Sequence, residues 1–190
     1  MKRLLIVAGS DSGGGAGIQA DIKTATMHGV FAMTAVKAIT VQDKRGVHGV
    51  HVIPDEVIAD QMVACLIDIG ADAVKTGMLH SAGTIETVAR VLAKHAPDVP
   101  LVVDPVMVAK GGARLIDETA VAAMKAHLFP RAAVITPNLP EAAALLEIDE
   151  IADVAGMEAA GRALLDFGPR AVLMKGGHLP GDQVSDLLIT

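Results

Sequence analysis

A small group of polar side chains stands directly after apolar runs of the chain, and their types suit metal and phosphate chemistry. Asp104 ends the segment VVD, Asn138 and Glu141 form the pattern N-x-x-E, and Lys175 ends the segment VLMK. Carboxylate and amide oxygens suit Mg²⁺, which keeps several waters and takes few protein ligands. A lysine supplies a point charge for phosphate groups. Together these residues indicate a site for a phosphorylated ligand and its metal ion.

The same residues also have ordinary structural interpretations. An N-x-x-E pattern with Pro140 in the first helical turn is a good capping arrangement as well as a metal-binding one. Lys175 can equally be an exposed surface lysine. Asp104 is more informative, because it follows a buried strand and Pro105 stiffens the chain where it leaves that strand.

A glycine-rich loop, GSDSGGGAG, spans residues 9–17. Glycine lets the backbone approach a ligand closely, and the helix that follows has an N-terminus that attracts anions. We favour a loop that covers a ligand. Two alternatives stay open. The loop can need glycine only for its turns, or it can bind a dinucleotide, since Gly15, Gly17 and Ala20 fit the G-x-G-x-x-A spacing.

Asp21 and Gln42 are candidates for contact with a heteroaromatic ring. Asp21 lies one helical turn after Gly17, and it faces either a pocket or solvent. Gln42 follows an apolar run, and its amide can both donate and accept hydrogen bonds. That suits the ring nitrogen and amino group of a pyrimidine. The alternative for Gln42 is an exposed loop residue.

These side chains need a framework, and the alternation of apolar runs with helical patterns predicts one. The predicted strands cover residues 4–8, 30–41, 48–53, 73–76, 101–103, 133–136 and 171–174. The predicted helices begin at Ala16, Pro54, Ser81, Asp117, Pro140 and Val154. Strands that alternate with helices form a parallel sheet covered on both faces. We therefore expect a single α/β domain over residues 1–190.

The candidate residues share one position relative to these strands. In open α/β sheets, ligands bind at the carboxyl ends of the strands. Six candidate residues each follow the carboxyl end of a predicted strand, namely Asp11, Gln42, Met78, Asp104, Asn138 and Lys175. We therefore expect one site at that edge of the sheet.

The bulk composition excludes several classes of protein. A net charge of -6 without clustered basic residues argues against a nucleic-acid surface. The single cysteine, Cys65, excludes an intramolecular disulfide and a multi-cysteine metal site, and we interpret it as a small core residue. No segment reaches the roughly 18 apolar residues of a membrane span. We expect a cytoplasmic protein without a membrane or nucleic-acid partner.

Several segments taken together resemble one family. They are AGSDSGGGAGIQADIKT at 8–24, AITVQ at 38–42, RGV at 45–47, KTGML at 75–79, VVDPVM at 102–107, ITPNLPEAAALL at 135–146 and VLMKGGH at 172–178. In this order they resemble the hydroxymethylpyrimidine/phosphomethylpyrimidine kinases of thiamine biosynthesis. The resemblance covers almost the whole chain, and it is specific as a set although no single segment is.

The resemblance implies a ribokinase-like fold, with ATP as co-substrate and Mg²⁺ as cofactor. It implies phosphorylation of 4-amino-5-hydroxymethyl-2-methylpyrimidine and then of the resulting monophosphate. The residues implied to bind the pyrimidine are Gly9, Asp21, Gln42, Met78 and Val106. Those implied to bind ATP phosphates are Asp104, Asn138 and Lys175, with Asp104 and Glu141 at the metal and Lys175 as the catalytic residue.

One part of the family pattern is absent from this sequence. The family has a G-T-G-C-like segment after the last strand predicted here, and its backbone N–H groups bind the transferring phosphate. No such segment occurs before Thr190. We expect that the C-terminal part of the fold is missing and that the natural sequence continues past Thr190. We also expect the chain alone to have negligible kinase activity and poor solubility.

Two other functions stay open. A pyridoxine-type vitamin kinase of the same superfamily also acts on a hydroxymethyl heteroaromatic ring. A relative without catalytic activity would bind the pyrimidine but not phosphorylate it. A substrate panel with ATP separates these possibilities. The expected partners are the pyrimidine and ATP, and the expected assembly is a homodimer.

Overall fold

The computed structural model describes residues 1–43, 45–107 and 117–190, and these contain eight strands and six α-helices. The strands are β1 (Arg3–Asp11), β2 (Phe31–Gln42), β3 (Val47–Val52), β4 (Ala73–Thr76), β5 (Leu101–Val103), β6 (Ala132–Ile135), β7 (Val172–Met174) and β8 (Leu187–Ile189). The α-helices are α1 (Gly17–Met27), α2 (Asp55–Ala64), α3 (Ala82–His95), α4 (Glu118–His127), α5 (Leu139–Leu146) and α6 (Val154–Leu165). A π-helical turn, Cys65–Ile69, extends α2, and a 3₁₀ turn, Phe129–Arg131, precedes β6.

The described strands form one sheet in the order β3-β2-β1-β4-β5-β6-β7-β8. The strands from β2 to β7 run parallel to their neighbours in this order. Only the edge strands β3 and β8 pair antiparallel, with β2 and β7 respectively. The prediction of a mostly parallel sheet is confirmed.

The two faces of the sheet carry unequal layers of helices. On one face Ile6 and Ala8 of β1 pack against Ile18 of α1. Successive strand residues point to opposite faces, and Leu5 and Val7 accordingly belong to the main core, to which α2 through α6 also contribute side chains. Helices thus cover both faces, as predicted, but among the described helices only α1 packs against the first face.

The predicted capping residues begin the helices they were assigned to. The first N–H groups of a helix have no partner within the helix, so a polar side chain that accepts from them stabilises its start. The side chains of Ser81 and Asp117 each accept from the N–H three residues further on, at the starts of α3 and α4. Gly70 follows the π-helical turn with a φ of 77°, where glycine avoids steric strain.

Three observations refine the predictions. β1 extends to Asp11, because Gly9, Ser10 and Asp11 continue to pair with β2 beyond a bulge. The strand β8 was not predicted, and it pairs antiparallel with β7. Cys65 packs against the main core but is half-buried, and burial raises the pKa of its thiol.

No helix in the described ranges is long and apolar enough to cross a membrane.

Candidate functional site

The carboxyl ends of β4, β5, β6 and β7 lie side by side, and backbone hydrogen bonds continue beyond the strand ends. The N–H of Asp104 donates to the carbonyl of Thr76 at 3.0 Å, and the N–H of Lys175 donates to the carbonyl of Pro137 at 2.9 Å. Residues that are far apart in the sequence are therefore held next to one another at this edge.

Charged side chains of alternating sign form a row along the same edge, in the order Asp21, Lys75, Asp104, Lys175 and Glu141. Lys75 Nζ lies 2.7 Å from Asp21 Oδ2 and 3.9 Å from Asp104 Oδ2. Lys175 Nζ lies 2.9 Å from Asp104 Oδ1 and 4.0 Å from Glu141 Oε2. This group is termed the charge row. It brings together Asp21, Asp104, Glu141 and Lys175, whose functional roles are predicted from the sequence.

Lys75 is the member of the charge row that sequence reasoning missed. It lies in the short apolar strand β4 and connects Asp21 of α1 with Asp104 after β5. A lysine within a buried strand needs a carboxylate or a polar partner, because an unpaired buried charge is costly. That requirement was the available signal.

Asn138 and Glu141 form a capping box at the start of α5. The N–H of Glu141 donates to Asn138 Oδ1 and the N–H of Asn138 donates to Glu141 Oε2, both at 2.8 Å. The capping interpretation is confirmed, whereas metal binding stays a prediction. Glu141 is also buried, with 5% of its surface exposed. Burial raises the pKa of its carboxyl, while the Asn138 N–H and the charge of Lys175 act in the opposite direction.

The donor set fits Mg²⁺. Across residues 1–43, 45–107 and 117–190, no cluster of three or more His, Cys, Asp or Glu side chains could enclose a metal ion. Asp104 and Glu141 instead present carboxylates on either side of Lys175, and Thr136 donates to Asp104 Oδ1 at 3.2 Å. Mg²⁺ is commonly held by one or two carboxylates together with waters and substrate phosphates. This pair can therefore hold it in company with a nucleotide.

The glycine-rich loop has its backbone donors occupied by Asp11. One carboxylate oxygen of Asp11 accepts from the N–H of Gly13 at 2.8 Å, and the other accepts from Gly15 at 3.0 Å and Ala16 at 2.8 Å. Asp11 is buried at the end of β1, and its carboxylate reaches the N-terminus of α1, where negative charge is favourable. In this structure the protein's own carboxylate thus fills the anion position of the loop, which disfavours the dinucleotide alternative.

Four of the predicted ring-binding residues lie in or after neighbouring strands, whereas the fifth, Asp21, lies in α1 and pairs with Lys75. A Cβ atom placed on Gly9 would stand 3.9 Å from Met78 Cε. Gln42, at the end of β2, accepts at Oε1 from the Thr40 hydroxyl at 3.3 Å. Val106 is half-buried and follows Asp104 by two residues. Among the described residues, no hydrogen bond joins the Gln42 side chain to the charge row.

The fold and the charge row define a class of protein. A parallel α/β sheet that gathers lysines and carboxylates at the carboxyl ends of its strands suits a protein that binds phosphorylated small molecules. A model of the phosphomethylpyrimidine kinase family matches residues 11–190, and the chain belongs to this family.

Two curated relatives show how the chain compares in sequence. It is 51% identical over 185 residues to the thiamine biosynthesis bifunctional protein of Geobacter sulfurreducens, covering 97% of this chain and 37% of that protein. It is 48% identical over 187 residues to the hydroxymethylpyrimidine/phosphomethylpyrimidine kinase of Mycobacterium bovis, covering 98% of this chain and 68% of that protein. The chain thus spans little more than a third of the first relative and about two thirds of the second.

Two solved structures are similar over the whole chain. The phosphomethylpyrimidine kinase of Clostridium difficile is 42% identical, with a TM-score of 0.90 and 80% of its own chain covered. The pyridoxal kinase of Staphylococcus aureus, in complex with AMP-PCP and pyridoxal, is 36% identical, with a TM-score of 0.88 and 68% covered. The predicted ribokinase-like α/β fold is therefore confirmed.

Proposed function

We propose that this family member functions in the ATP-dependent phosphorylation of 4-amino-5-hydroxymethyl-2-methylpyrimidine and then of its monophosphate, and that this chain holds the residues that bind the pyrimidine, the nucleotide and Mg²⁺. The charge row is the observation that carries the proposal, since it concentrates ammonium groups and carboxylates where parallel strands end. Membership of the phosphomethylpyrimidine kinase family supports the pyrimidine as the substrate.

The phosphate end of the site is assigned to four residues, two of which also serve as the ligands of one metal ion. Asp104, Asn138 and Lys175 bind the phosphates of ATP, and Asp104 with Glu141 holds Mg²⁺. When bound, the metal neutralises phosphate charge, which is the main requirement of phosphoryl transfer. Lys175 is paired with both carboxylates and partly exposed. It can therefore turn toward a phosphate oxygen when a cation satisfies those carboxylates.

The ring end of the site is assigned to Gly9, Asp21, Gln42, Met78 and Val106. Gln42 Oε1 is engaged by Thr40, whereas its amide nitrogen has no hydrogen-bond partner among the described residues. That nitrogen is available to donate to a ring nitrogen. Met78 and Val106 supply apolar contact. Catalysis on this proposal is mainly the positioning of the hydroxymethyl group against the nucleotide.

Glu141→Gln should weaken binding of Mg–nucleotide about 10- to 100-fold and leave pyrimidine binding almost unchanged. The glutamine carbonyl can still accept from the Asn138 N–H, so the cap is retained while the negative charge is lost. Calorimetric titration with a non-hydrolysable ATP analogue and Mg²⁺, and separately with the pyrimidine, measures both affinities. An equal loss of both would point to a structural capping role alone.

Gln42→Leu should weaken pyrimidine binding by about 1–3 kcal/mol, because ring polar groups would lose their partner inside the pocket. Gln183→Leu is the matched control, since Gln183 is exposed and lies outside the proposed site. Calorimetry on the wild type and both variants provides the comparison. Unchanged affinity in Gln42→Leu would remove Gln42 from the ring-binding set.

A substrate panel tests the function itself and its alternatives. The pyrimidine, its monophosphate and pyridoxine are each titrated and then assayed for phosphorylation with Mg–ATP. Binding of both pyrimidines together with detectable phosphorylation, even at the very low rate expected of this chain alone, supports the proposal. Preference for pyridoxine would favour the vitamin-kinase alternative, which the similarity to pyridoxal kinase motivates. Binding of the pyrimidine without turnover would favour a binding protein.

The homodimer expected from the sequence stays a prediction.

A further inference from the structure

Lys37 is a buried lysine for which the proposed kinase site has no role. It is 1% exposed, and its Nζ has no hydrogen-bond partner among the described residues. Lysine normally keeps its ammonium group in water even where its carbon stem is buried. The ammonium group of Lys37 is instead buried together with its carbon stem, so the nitrogen lies in a dry environment.

A β-bulge places this side chain. Ala8 of β1 pairs with Val36 of β2, but the next residue, Gly9, pairs with Ala38, so Lys37 is the extra residue. Bulges re-aim a side chain and are frequent beside active sites. This one lies near the middle of β2 and opposite Gly9, which is one of the predicted ring-binding residues.

The end of the Lys37 side chain reaches two of those predicted residues. Its Cε lies 3.5 Å from the position of a Cβ atom on Gly9, and Met78 Cε lies 3.9 Å from the same position. Both distances are ordinary van der Waals contacts, so the end of the lysine side chain and the end of Met78 lie on either side of the same point above Gly9. The nitrogen, one bond further on, therefore lies next to the proposed ring-binding residues and lacks only an acceptor.

An unpaired ammonium group in this position destabilises the protein without ligand. Desolvation lowers the pKa of Lys37 to about 8, which shows that burial disfavours its charged form. A methionine of similar length would fill the same space without that cost. A ligand atom that accepts a hydrogen bond would remove the cost in a different way, at the moment of binding.

We infer that Lys37 is a substrate-specificity residue whose Nζ donates a hydrogen bond to an acceptor atom, such as a ring nitrogen, of the bound heteroaromatic substrate. The inference rests on the proposed function and assigns a residue that the family resemblance does not. It predicts selection for rings that present an acceptor on the edge facing Gly9 and Met78.

The test compares Lys37→Met with the wild type and with Lys94→Met, a matched change at an exposed lysine in the last turn of α3. The probes are 4-amino-5-hydroxymethyl-2-methylpyrimidine and an analogue in which carbon replaces the ring nitrogens. Lys37→Met should weaken binding of the pyrimidine about tenfold or more. It should bind the carbon analogue as the wild type does, and it should unfold at an equal or higher temperature.

The outcomes separate this inference from the proposed function. If the wild type binds the pyrimidine and Lys37→Met binds it equally well, the inference is wrong and the proposed function stands. Equal loss of both probes would also overturn it, because Lys37 would then act only through the shape of the pocket. If the wild type binds neither pyrimidine nor pyridoxine, both ideas fail together. Lys94→Met should match the wild type with every probe.

Discussion

Lys175→Met is expected to weaken binding of Mg–nucleotide roughly 10- to 100-fold while it strengthens binding of Mg²⁺ alone. The two effects have opposite signs because Lys175 has two roles. In the protein without ligand its Nζ lies between Asp104 and Glu141, at 2.9 Å and 4.0 Å. With nucleotide bound it is proposed to contact a phosphate instead.

The gain in Mg²⁺ affinity follows from Coulomb's law. Removing a positive charge beside two carboxylates leaves them facing each other, and a cation between them becomes more favourable. The charge of Lys175 also lowers the pKa of the Glu141 carboxyl, so that pKa rises further in the variant. Repeating the titration at several pH values separates the metal effect from protonation of this carboxyl.

Titration calorimetry with MgCl₂, and then with a non-hydrolysable ATP analogue at saturating Mg²⁺, measures the two affinities. Lys94→Met again serves as the matched control. If both affinities fall in Lys175→Met, the lysine organises the carboxylates and does not contact phosphate. If neither changes, the nucleotide binds away from the charge row.

Gly17→Ala is expected to destabilise the fold by about 3 kcal/mol or more. Gly17 has a φ of 56°, and a Cβ atom there would stand 2.3 Å from the carbonyl oxygen of Gly9 and 3.3 Å from the backbone nitrogen of Asp11. Both contacts are with backbone, which cannot move aside as a side chain does. The start of α1 is packed so closely on the end of β1 that only glycine fits.

Gly9→Ala provides the contrast within the same loop. A Cβ atom on Gly9 would meet Lys37 Cε at 3.5 Å and the Ala38 carbonyl oxygen at 3.8 Å, which are ordinary contacts. Its stability should stay within about 1 kcal/mol of the wild type, whereas pyrimidine affinity should fall. Urea unfolding followed by circular dichroism measures stability. A Gly17→Ala protein as stable as Gly9→Ala would contradict the steric argument.

The architecture was largely predictable because it depends on local patterns. Short apolar runs between amphipathic helices predict a parallel sheet, and such sheets bring their carboxyl ends to one edge. Asp104 and Lys175 could therefore be assigned to a common site from their positions after two strands. The N-x-x-E pattern correctly indicated a cap at Asn138, since a capping box involves residues three apart.

Contacts between distant segments were not predictable in the same way. The glycine-rich loop suggested a loop that covers a ligand, and nothing in its pattern indicated that Asp11 accepts from the N–H groups of Gly13, Gly15 and Ala16. The sequence could indicate that Lys75 needs a partner but not that Asp21 and Asp104 are its partners, because those residues come from other elements. The edge strand β8 was also missed, since its strand conformation depends on pairing with β7.

The sequence by itself thus determined the α/β class, the edge of the sheet that holds the candidate site and the chemical types of its residues. It did so because hydrophobic periodicity and capping act over a few residues. The tertiary structure decided which charges pair, and it left Lys37 buried beside Gly9 with no hydrogen-bond partner in the part of the chain that the structure describes. Those features arise from strand order, a one-residue bulge and the close approach of Gly17 to β1, which depend on contacts between segments far apart in the chain.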